Sequence, residues 1–199
     1  MSHLRSILIT LALSFVVLSI PASAQDFERG YRAFERGDYA AALRDFRPLA
    51  DRGIAKAQLA MGLSYLFGEG KLNNGTKAIF WIRKAAEQDF VPAQNMLGRL
   101  YANGQGVPED RTAAHHWYLR ASEQGDAQSQ TQLGVQYLEG IGIPKDIGRA
   151  YMWFNLAAAQ GNADGRKAKD MLVEIMDPED ITEAQRLSRE CLERDYKGC

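Results

Sequence analysis

Residues 93–117 of this chain read AQNMLGRLYANGQGVPEDRTAAHHW, and residues 129–153 read SQTQLGVQYLEGIGIPKDIGRAYMW. The two stretches carry matching residues 36 positions apart, and residues 57–81 repeat most of the pattern. Self-similarity at a fixed period of this length is typical of stacked copies of one small unit. A stacked array offers surfaces to partners more readily than it forms a catalytic pocket. The clearest repeated positions are Gly62, Gly98 and Gly134, then Tyr65, Tyr101 and Tyr137, then Trp81, Trp117 and Trp153.

Each unit is predicted to contain two helices and a loop. In residues 91–103, apolar side chains recur at helical spacing until paired glycines interrupt them. Glycine readily adopts the positive φ angles that end a helix and turn the chain. Asp110 follows the loop and can cap the next helix, and Asn74 and Asp146 hold the same phase. We therefore expect second helices over about residues 75–88, 111–124 and 147–160.

Small residues inside the helices predict close helix packing. Each first helix contains a glycine, which costs about 1 kcal/mol relative to alanine in a helix, so a packing role is expected. We expect each glycine to face an alanine of the second helix, and the tryptophans to fill the space between neighbouring repeats. The alanines in the matching positions are Ala78, Ala114 and Ala150.

The spaced residues resemble the repeat of a known family. The pattern A-x-x-x-L-G-x-x-Y-x-x-G-x-G-(V/I)-P-x-D-x-x-x-A-x-x-W runs from Ala93 to Trp117 and nearly again from Ser129 to Trp153. It is similar to the pattern of the Sel-one-like repeat (SLR) family. The resemblance implies an all-α fold, an α-solenoid of antiparallel helix pairs in a right-handed superhelix, related to tetratricopeptide repeats. It covers three units, residues 55–90, 91–126 and 127–162, and the first departs from the pattern at residues 71–74, which read KLNN.

The segments that flank the repeats are also predicted to be helical. Residues 25–54 are expected to form a degenerate tetratricopeptide-like helix pair with a tight turn at residues 37–39. Residues 163–199 contain two amphipathic segments, divided at Asp177-Pro178, where proline favours the start of a helix. A solenoid needs terminal elements that cover its exposed core. We therefore interpret residues 163–199 as C-terminal capping helices.

Residues 1–24 are interpreted as a cleavable signal peptide. A weakly basic start precedes an apolar run from Ile7 to Ile20, and residues 21–24 offer the small-residue pattern that a signal peptidase requires. Cleavage is expected after Ala24, which would place the protein in the periplasm or outside the cell. The apolar run is shorter than the roughly 20 helical residues that cross a bilayer. A retained membrane anchor is the alternative, and no stable membrane span is expected after cleavage.

Composition argues against several classes of function. The 175 residues after position 24 carry 23 basic and 25 acidic side chains, a balance that gives no overall attraction to nucleic acid or anionic lipid. His115 and His116 are adjacent and point about 100° apart on a helix, unlike metal ligands at i and i+4. No nucleophile has a histidine placed to activate it. We therefore expect no metal, no cofactor and no enzymatic activity.

Both cysteines, Cys191 and Cys199, lie close to the C-terminus. Because an exported protein meets an oxidising compartment, a disulfide between them is one expectation, and a free terminal thiol is the alternative. A bridge over so short a loop would contribute roughly 2 to 3 kcal/mol. Some exported SLR proteins carry a cysteine pair in each helix pair and are linked to binding or hydrolysis of β-lactams. The repeats of this chain contain no cysteine, so that resemblance does not extend to it.

A binding surface is predicted on the first helices. In related arrays these helices line a concave wall, and the positions three before, one after and five after each repeat glycine would point into it. These residues differ between units, as expected for a surface that contacts an asymmetric partner, although ordinary surface variation explains any one position equally well. The predicted partner-binding residues are Leu59, Leu63, Phe67, Asn95, Arg99, Asn103, Thr131, Val135 and Glu139.

The resemblance also implies a role in protein binding. Exported SLR proteins include regulators that restrain envelope sensor kinases and scaffolds of exopolysaccharide assembly. We therefore expect a periplasmic adaptor or scaffold that binds a partner protein or peptide in the cell envelope. Two alternatives stay open at this point. One is a cell-wall-associated enzyme or β-lactam-binding protein, and the other is a structural subunit of a larger envelope complex.

Overall fold

The computed structural model describes residues 22–70 and 73–199. The predicted signal peptide lies almost wholly outside these ranges, as do residues 71 and 72 of the first repeat loop. Within the described ranges the chain forms ten α-helices and no β-strand. The helices are α1 (Ala22–Glu35), α2 (Tyr39–Asp51), α3 (Ala55–Phe67), α4 (Gly75–Ala86), α5 (Val91–Asn103), α6 (Arg111–Ser122), α7 (Ala127–Glu139), α8 (Ile147–Ala159), α9 (Ala163–Val173) and α10 (Pro178–Glu193).

The helices pack as hairpins that stack on one another. From α1 to α8, each helix contacts the helix that follows it in the chain. First helices also touch across hairpins, since α1 contacts α3 and α7 contacts α9. This arrangement is the predicted α-solenoid, with the odd-numbered helices α1 to α9 as first helices and α2 to α8 as second helices. None of the described helices is long and apolar enough to cross a membrane.

Hydrogen bonds fix the end of each repeat loop, where the second helix begins. Asn74, Asp110 and Asp146 cap α4, α6 and α8 as predicted, and each accepts a hydrogen bond of 2.8 or 2.9 Å from the amide three residues later. The amides of the same three residues donate to the carbonyls of the repeat tyrosines, at 2.8 to 3.0 Å. These bonds set the length of the loop. The second helices therefore begin where the sequence predicts, although they end one or two residues earlier.

The helical glycines of α1, α3, α5 and α7 each make room for a large side chain, which the sequence did not predict. A β-carbon added to Gly98 would lie 2.7 Å from the ring of Tyr118. This ring belongs to the residue four positions after the expected alanine. At Gly62 the expected alanine also comes close, since the carbonyl oxygen of Ala78 would lie 2.9 Å away. We call these contacts the glycine sockets: Gly30 with Phe46, Gly62 with Ile82, Gly98 with Tyr118, and Gly134 with Phe154.

The tryptophans join successive hairpins, as predicted. Trp81 packs in a buried cluster with residues of α2 and α3, Trp117 with residues of α4 and α5, and Trp153 with residues of α6 and α7. Trp153 is fully buried, and the other two are 8% exposed. The core therefore continues along the array and is not confined to single hairpins. Truncation of such a ring typically costs about 3 to 5 kcal/mol.

Buried glutamines tie each hairpin to the next, a feature that the sequence analysis missed. Gln94, on α5, is fully buried, and its side-chain amide donates to the carbonyl of Ala86 at the end of α4, at 3.2 Å. Its side-chain oxygen accepts a 2.7 Å hydrogen bond from Gln124, which follows α6. Each such bond contributes about 0.5 to 1.5 kcal/mol. The same arrangement recurs at Gln58 with Gln88 and at Gln130 with Gln160.

The C-terminal segment does not continue the regular stack. The two predicted amphipathic segments form α9 and α10, but α10 packs against α8 rather than against α9. Buried Cys191 on α10 joins the cluster of Tyr118 and Trp153. The structure joins Cys191 and Cys199 in a disulfide, with the α-carbons 5.5 Å apart. The last residues reach back to the second repeat, where the amide of Gly198 donates to Glu123 at 3.1 Å.

The glycine sockets predict opposite outcomes for two helical glycines. Gly134→Ala would place a β-carbon 2.5 Å from the ring of Phe154, and such overpacking typically costs about 1 to 3 kcal/mol. Gly148→Ala, on α8, would meet only a carboxylate oxygen at 3.5 Å, so it should be neutral or stabilising by up to about 1 kcal/mol. Thermal unfolding followed by circular dichroism measures both. A Gly134→Ala protein as stable as wild type would contradict the socket.

Candidate interaction surface

The structure divides the nine predicted site residues into three groups by exposure. It therefore leaves only part of the predicted surface open to a partner. Phe67, Arg99, Asn103 and Glu139 are exposed, Leu59, Leu63 and Val135 are half-buried, and Asn95 and Thr131 are buried.

Asn95 belongs to the contact between repeats and not to an open surface. Its side chain is only 8% exposed. Its amide nitrogen donates to a carboxylate oxygen of Asp126 at 2.9 Å and to the hydroxyl of Ser129 at 2.8 Å. Asp126 is also the N-cap of α7, because it accepts from the amide of Ser129. Asn95 therefore anchors α5 to the start of α7, and its prediction as a groove residue is corrected.

The C-terminal third of the first-helix face is covered by α9. Thr131 is 7% exposed, and its hydroxyl lies 3.0 Å from the carbonyl of Ala127 and 3.2 Å from the side-chain oxygen of Asn162, the N-cap of α9. Val135 packs against a cluster that includes Leu172 of α9. Thr131 is therefore not part of an open groove, and its prediction as a groove residue is corrected as well. These contacts leave Val135 half-buried at the edge of a closed surface.

The open part of the face lies at the N-terminal end of the array. Side chains of α1, α3 and the turn before α5 surround an apolar cavity of about 190 Å³, which we call the N-terminal groove. Phe46, which is fully buried, forms part of its wall, and Tyr31, which is 45% exposed, lies at its edge. Predicted residues Leu59 and Leu63 both line it. Its other lining residues are Phe27, Phe34, Lys56, Ala60 and Phe90.

An aromatic ring and a cation extend the N-terminal groove at its edges. Phe67, 52% exposed, makes an edge-to-face contact with Phe34, with ring centroids 6.3 Å apart. The ammonium of Lys56 lies 4.1 Å from the ring centroid of Phe27. Exposed aromatic rings that adjoin an apolar cavity are typical of surfaces that bind another protein.

The middle of the first-helix face is polar and supplies no reactive group. Arg99 and Asn103 are exposed on α5. Burial raises the pKa of Tyr118 to about 12, and the nearby guanidinium of Arg99 opposes this rise. The Tyr118 phenol therefore stays protonated at neutral pH, and its ring fills the socket at Gly98.

Of the two adjacent histidines, the half-buried one, His115, packs against α7. His115 is half-buried, with Nδ1 3.0 Å from the side-chain oxygen of Gln136 and its ring edge against Tyr137. Burial lowers the pKa of His115, neighbouring His116 lowers it less, and the hydrogen bond to Gln136 acts in the opposite direction. Among the described residues, no group of three or more His, Cys, Asp or Glu side chains could hold a metal ion.

A profile of the Sel1 repeat matches residues 55–90, 91–126 and 127–162, which together make up more than half of the chain. The chain belongs to the Sel1 repeat family. The matched units contain the glycine sockets at Gly62, Gly98 and Gly134 and the three glutamine pairs. Sel1 repeats generally mediate protein–protein interactions.

Two solved structures resemble this Sel1 repeat protein. The protective antigen c5321 of uropathogenic Escherichia coli strains, which displays an SLR fold, is 27% identical with a TM-score of 0.76. That likeness covers 87% of this chain and 38% of the antigen, so the chain spans well under half of the antigen's length. A Sel1 repeat protein from Oxalobacter formigenes is 41% identical with a TM-score of 0.59, over 64% of this chain and 96% of that one. A comparison with curated proteins found no match.

The aromatic residues of α1 were missed as site residues, although the sequence carries their pattern. Phe27, Tyr31 and Phe34 recur at helical spacing, which places them along one side of α1. All nine predicted groove residues lie in the three Sel1 repeats, because the N-terminal helix pair was interpreted as a variant unit. The structure shows that this pair supplies one wall of the N-terminal groove.

The reassignment of Asn95 predicts a loss of stability. Asn95→Ala removes the donor to Asp126 and Ser129 and should lower the free energy of unfolding by about 1 to 3 kcal/mol. Asn103→Ala, at the exposed last residue of α5, is the control and should stay within about 0.5 kcal/mol of wild type. Urea denaturation measures both. Equal stability of the two variants would contradict the anchoring role of Asn95 and favour its prediction as a binding residue.

The environment of His115 predicts a pH dependence of stability. Because its pKa is lowered in the folded protein, the unfolded chain takes up a proton more readily, so stability should fall as pH drops below about 6.5 towards the folded pKa. His115→Gln should reduce the fall in melting temperature between pH 7.5 and 5.5. The exposed neighbour is the control, since His116→Gln should keep most of the wild-type slope. Identical slopes for wild type and His115→Gln would contradict the assignment.

Proposed function

We propose that this Sel1 repeat protein is an adaptor or scaffold of the cell envelope that binds a protein or peptide partner through the N-terminal groove. The coarser role, protein binding, is general among Sel1 repeat proteins. The proposal adds the location on the molecule and in the cell. Roles in envelope signalling or exopolysaccharide regulation are the contexts that the family resemblance suggests.

The size and lining of the N-terminal groove carry the proposal. Its volume of about 190 Å³ lies below the range of about 300 to 1,000 Å³ that is typical of small-molecule sites. Its walls are aromatic and aliphatic, and exposed Tyr31 and Phe67 lie beside it. A cavity of this size and chemistry suits one large side chain of a polypeptide, with the neighbouring rings available for the flanking residues.

The envelope location rests on the sequence alone. The apolar run and small-residue site in residues 1–24 are typical of an export signal. A bacterial protein exported in this way would meet its partner in the periplasm or outside the cell. The near balance of basic and acidic side chains suits a protein partner better than nucleic acid or anionic lipid.

No observation favours the alternative of a cell-wall-associated enzyme or β-lactam-binding protein. A cavity of about 360 Å³ does lie between α8 and α10, and it is large enough for a small molecule. However, four of its lining residues carry carboxylates, namely Asp146, Asp177, Asp180 and Glu183. These charges would repel the carboxylate of a β-lactam, so we do not advance this function.

The proposal predicts that binding depends on the apolar wall of the groove. Leu63→Asp places a charge in the N-terminal groove, and we expect it to abolish capture of a partner from envelope extract by the tagged full chain. Tyr31→Ala changes an exposed ring and should weaken capture at least tenfold if Tyr31 is an anchor residue. Circular dichroism should show unchanged helix content for both variants.

Arg99→Glu is the matched control for this experiment. Arg99 is exposed on the same face, one repeat away from the groove, and its charge reversal should leave capture intact. Capture that survives Leu63→Asp and Tyr31→Ala but fails with Arg99→Glu would place the binding surface on α5. Capture that survives all three changes would reject the first-helix face altogether.

A further inference from the structure

The N-terminal groove combines apolar walls with one positive charge at its edge. Eight of its nine lining residues are aromatic or aliphatic, and the ninth is Lys56 on α3. Its ammonium lies 4.1 Å from the ring centroid of Phe27, which also lines the groove. The charge is therefore held beside the apolar cavity, where the ring attracts it electrostatically. A ligand that fills the cavity would find this cation next to its apolar group.

Lys56 differs from Arg29, another cation at this end of the array. Arg29, on α1, donates two hydrogen bonds of 2.9 Å to Asp45 and also pairs with Asp26 at 3.1 Å, so its charge is compensated. Among residues 22–70 and 73–199, no carboxylate oxygen lies within 4.0 Å of the Lys56 ammonium. Lys56 thus offers a charge that an incoming group can pair with.

We infer that the N-terminal groove selects a polypeptide segment in which an aromatic or aliphatic side chain is followed or preceded, within about three residues, by Asp or Glu. The apolar side chain fills the cavity between α1 and α3, and the side-chain carboxylate pairs with Lys56. This inference rests on the proposed function and adds the chemistry of the partner. The volume admits one large side chain, and the charge at the edge then distinguishes acidic from basic segments.

Reversing the charge of Lys56 tests the inference. Phage that display random 12-residue peptides are selected on the immobilised full chain, and peptides that also bind Leu63→Asp are discarded. On wild type, the enriched sequences should share an apolar residue with Asp or Glu nearby. On Lys56→Glu, the acidic residue should give way to Lys or Arg. An enriched peptide made with Asn in place of Asp should bind wild type roughly two- to fivefold more weakly.

Two further variants complete the test. Lys56→Met keeps most of the side-chain length without the charge and should bind the Asp and Asn peptides equally. Lys84 on α4 is the matched control, because its ammonium also lies over an aromatic ring, 4.8 Å from the centroid of Phe80, but outside the groove. Lys84→Glu should select the same peptides as wild type.

The remaining outcomes separate the two proposals. This inference would be overturned if the enriched peptides depend on Leu63 but show no acidic residue. It would also be overturned if Lys56→Glu selects the same peptides as wild type. Either result would leave the proposed function standing. The absence of any peptide that depends on Leu63 would overturn both. Dimerisation at micromolar concentration that Leu63→Asp abolishes would show that a second copy of the chain fills the groove, and this result would also overturn the inference.

Discussion

A large side chain from each second helix must fit against the glycine of its first helix, and this contact sets the spacing within every hairpin. A β-carbon at Gly98 or Gly134 would enter the ring of Tyr118 or Phe154, so only glycine permits the approach. The energetic cost of glycine in a helix, about 1 kcal/mol, is offset by the burial of a whole aromatic ring. Because the helices sit at this distance, each tryptophan can reach the preceding hairpin, and each buried glutamine can bond to the end of that hairpin.

The glutamine pairs explain how the stack keeps its register. Apolar contacts between helices tolerate sliding, whereas a buried side-chain amide that loses its partners costs about 1 to 3 kcal/mol. Gln94, on α5, bonds to the carbonyl at the end of α4 and to Gln124 in the turn after α6, so it connects three elements at once. A shift of one hairpin against its neighbour would break the bond from Gln94 to the carbonyl of Ala86 and its equivalents at Gln58 and Gln130. Asn95 adds a second polar contact of this kind between α5 and α7.

The sequence predicted the regular parts of the fold well because their causes recur every 36 residues. The caps at Asn74, Asp110 and Asp146 and the start of each second helix followed from local chemistry. The periodic pattern could not show which side chain enters a glycine socket, since the expected alanines and the residues that occupy the sockets lie on the same side of the helix. It also could not separate groove positions from contact positions. Asn95 and Thr131 vary between repeats and yet are buried, because their partners belong to the next hairpin.

The ends of the array determine where a partner can bind, and a repeat pattern contains no information about ends. At the C-terminal end, α9 contacts α7 and Thr131 meets the N-cap of α9, so this third of the first-helix face is closed. At the N-terminal end, α1 brings Phe27, Tyr31 and Phe34, at positions relative to its glycine where the three repeats carry no aromatic residue. Although α1 contacts α3, Tyr31 stays 45% exposed. The groove is therefore a consequence of joining an atypical hairpin to regular ones, and its lining combines residues outside the repeat pattern with Lys56, Leu59 and Leu63 of the first repeat.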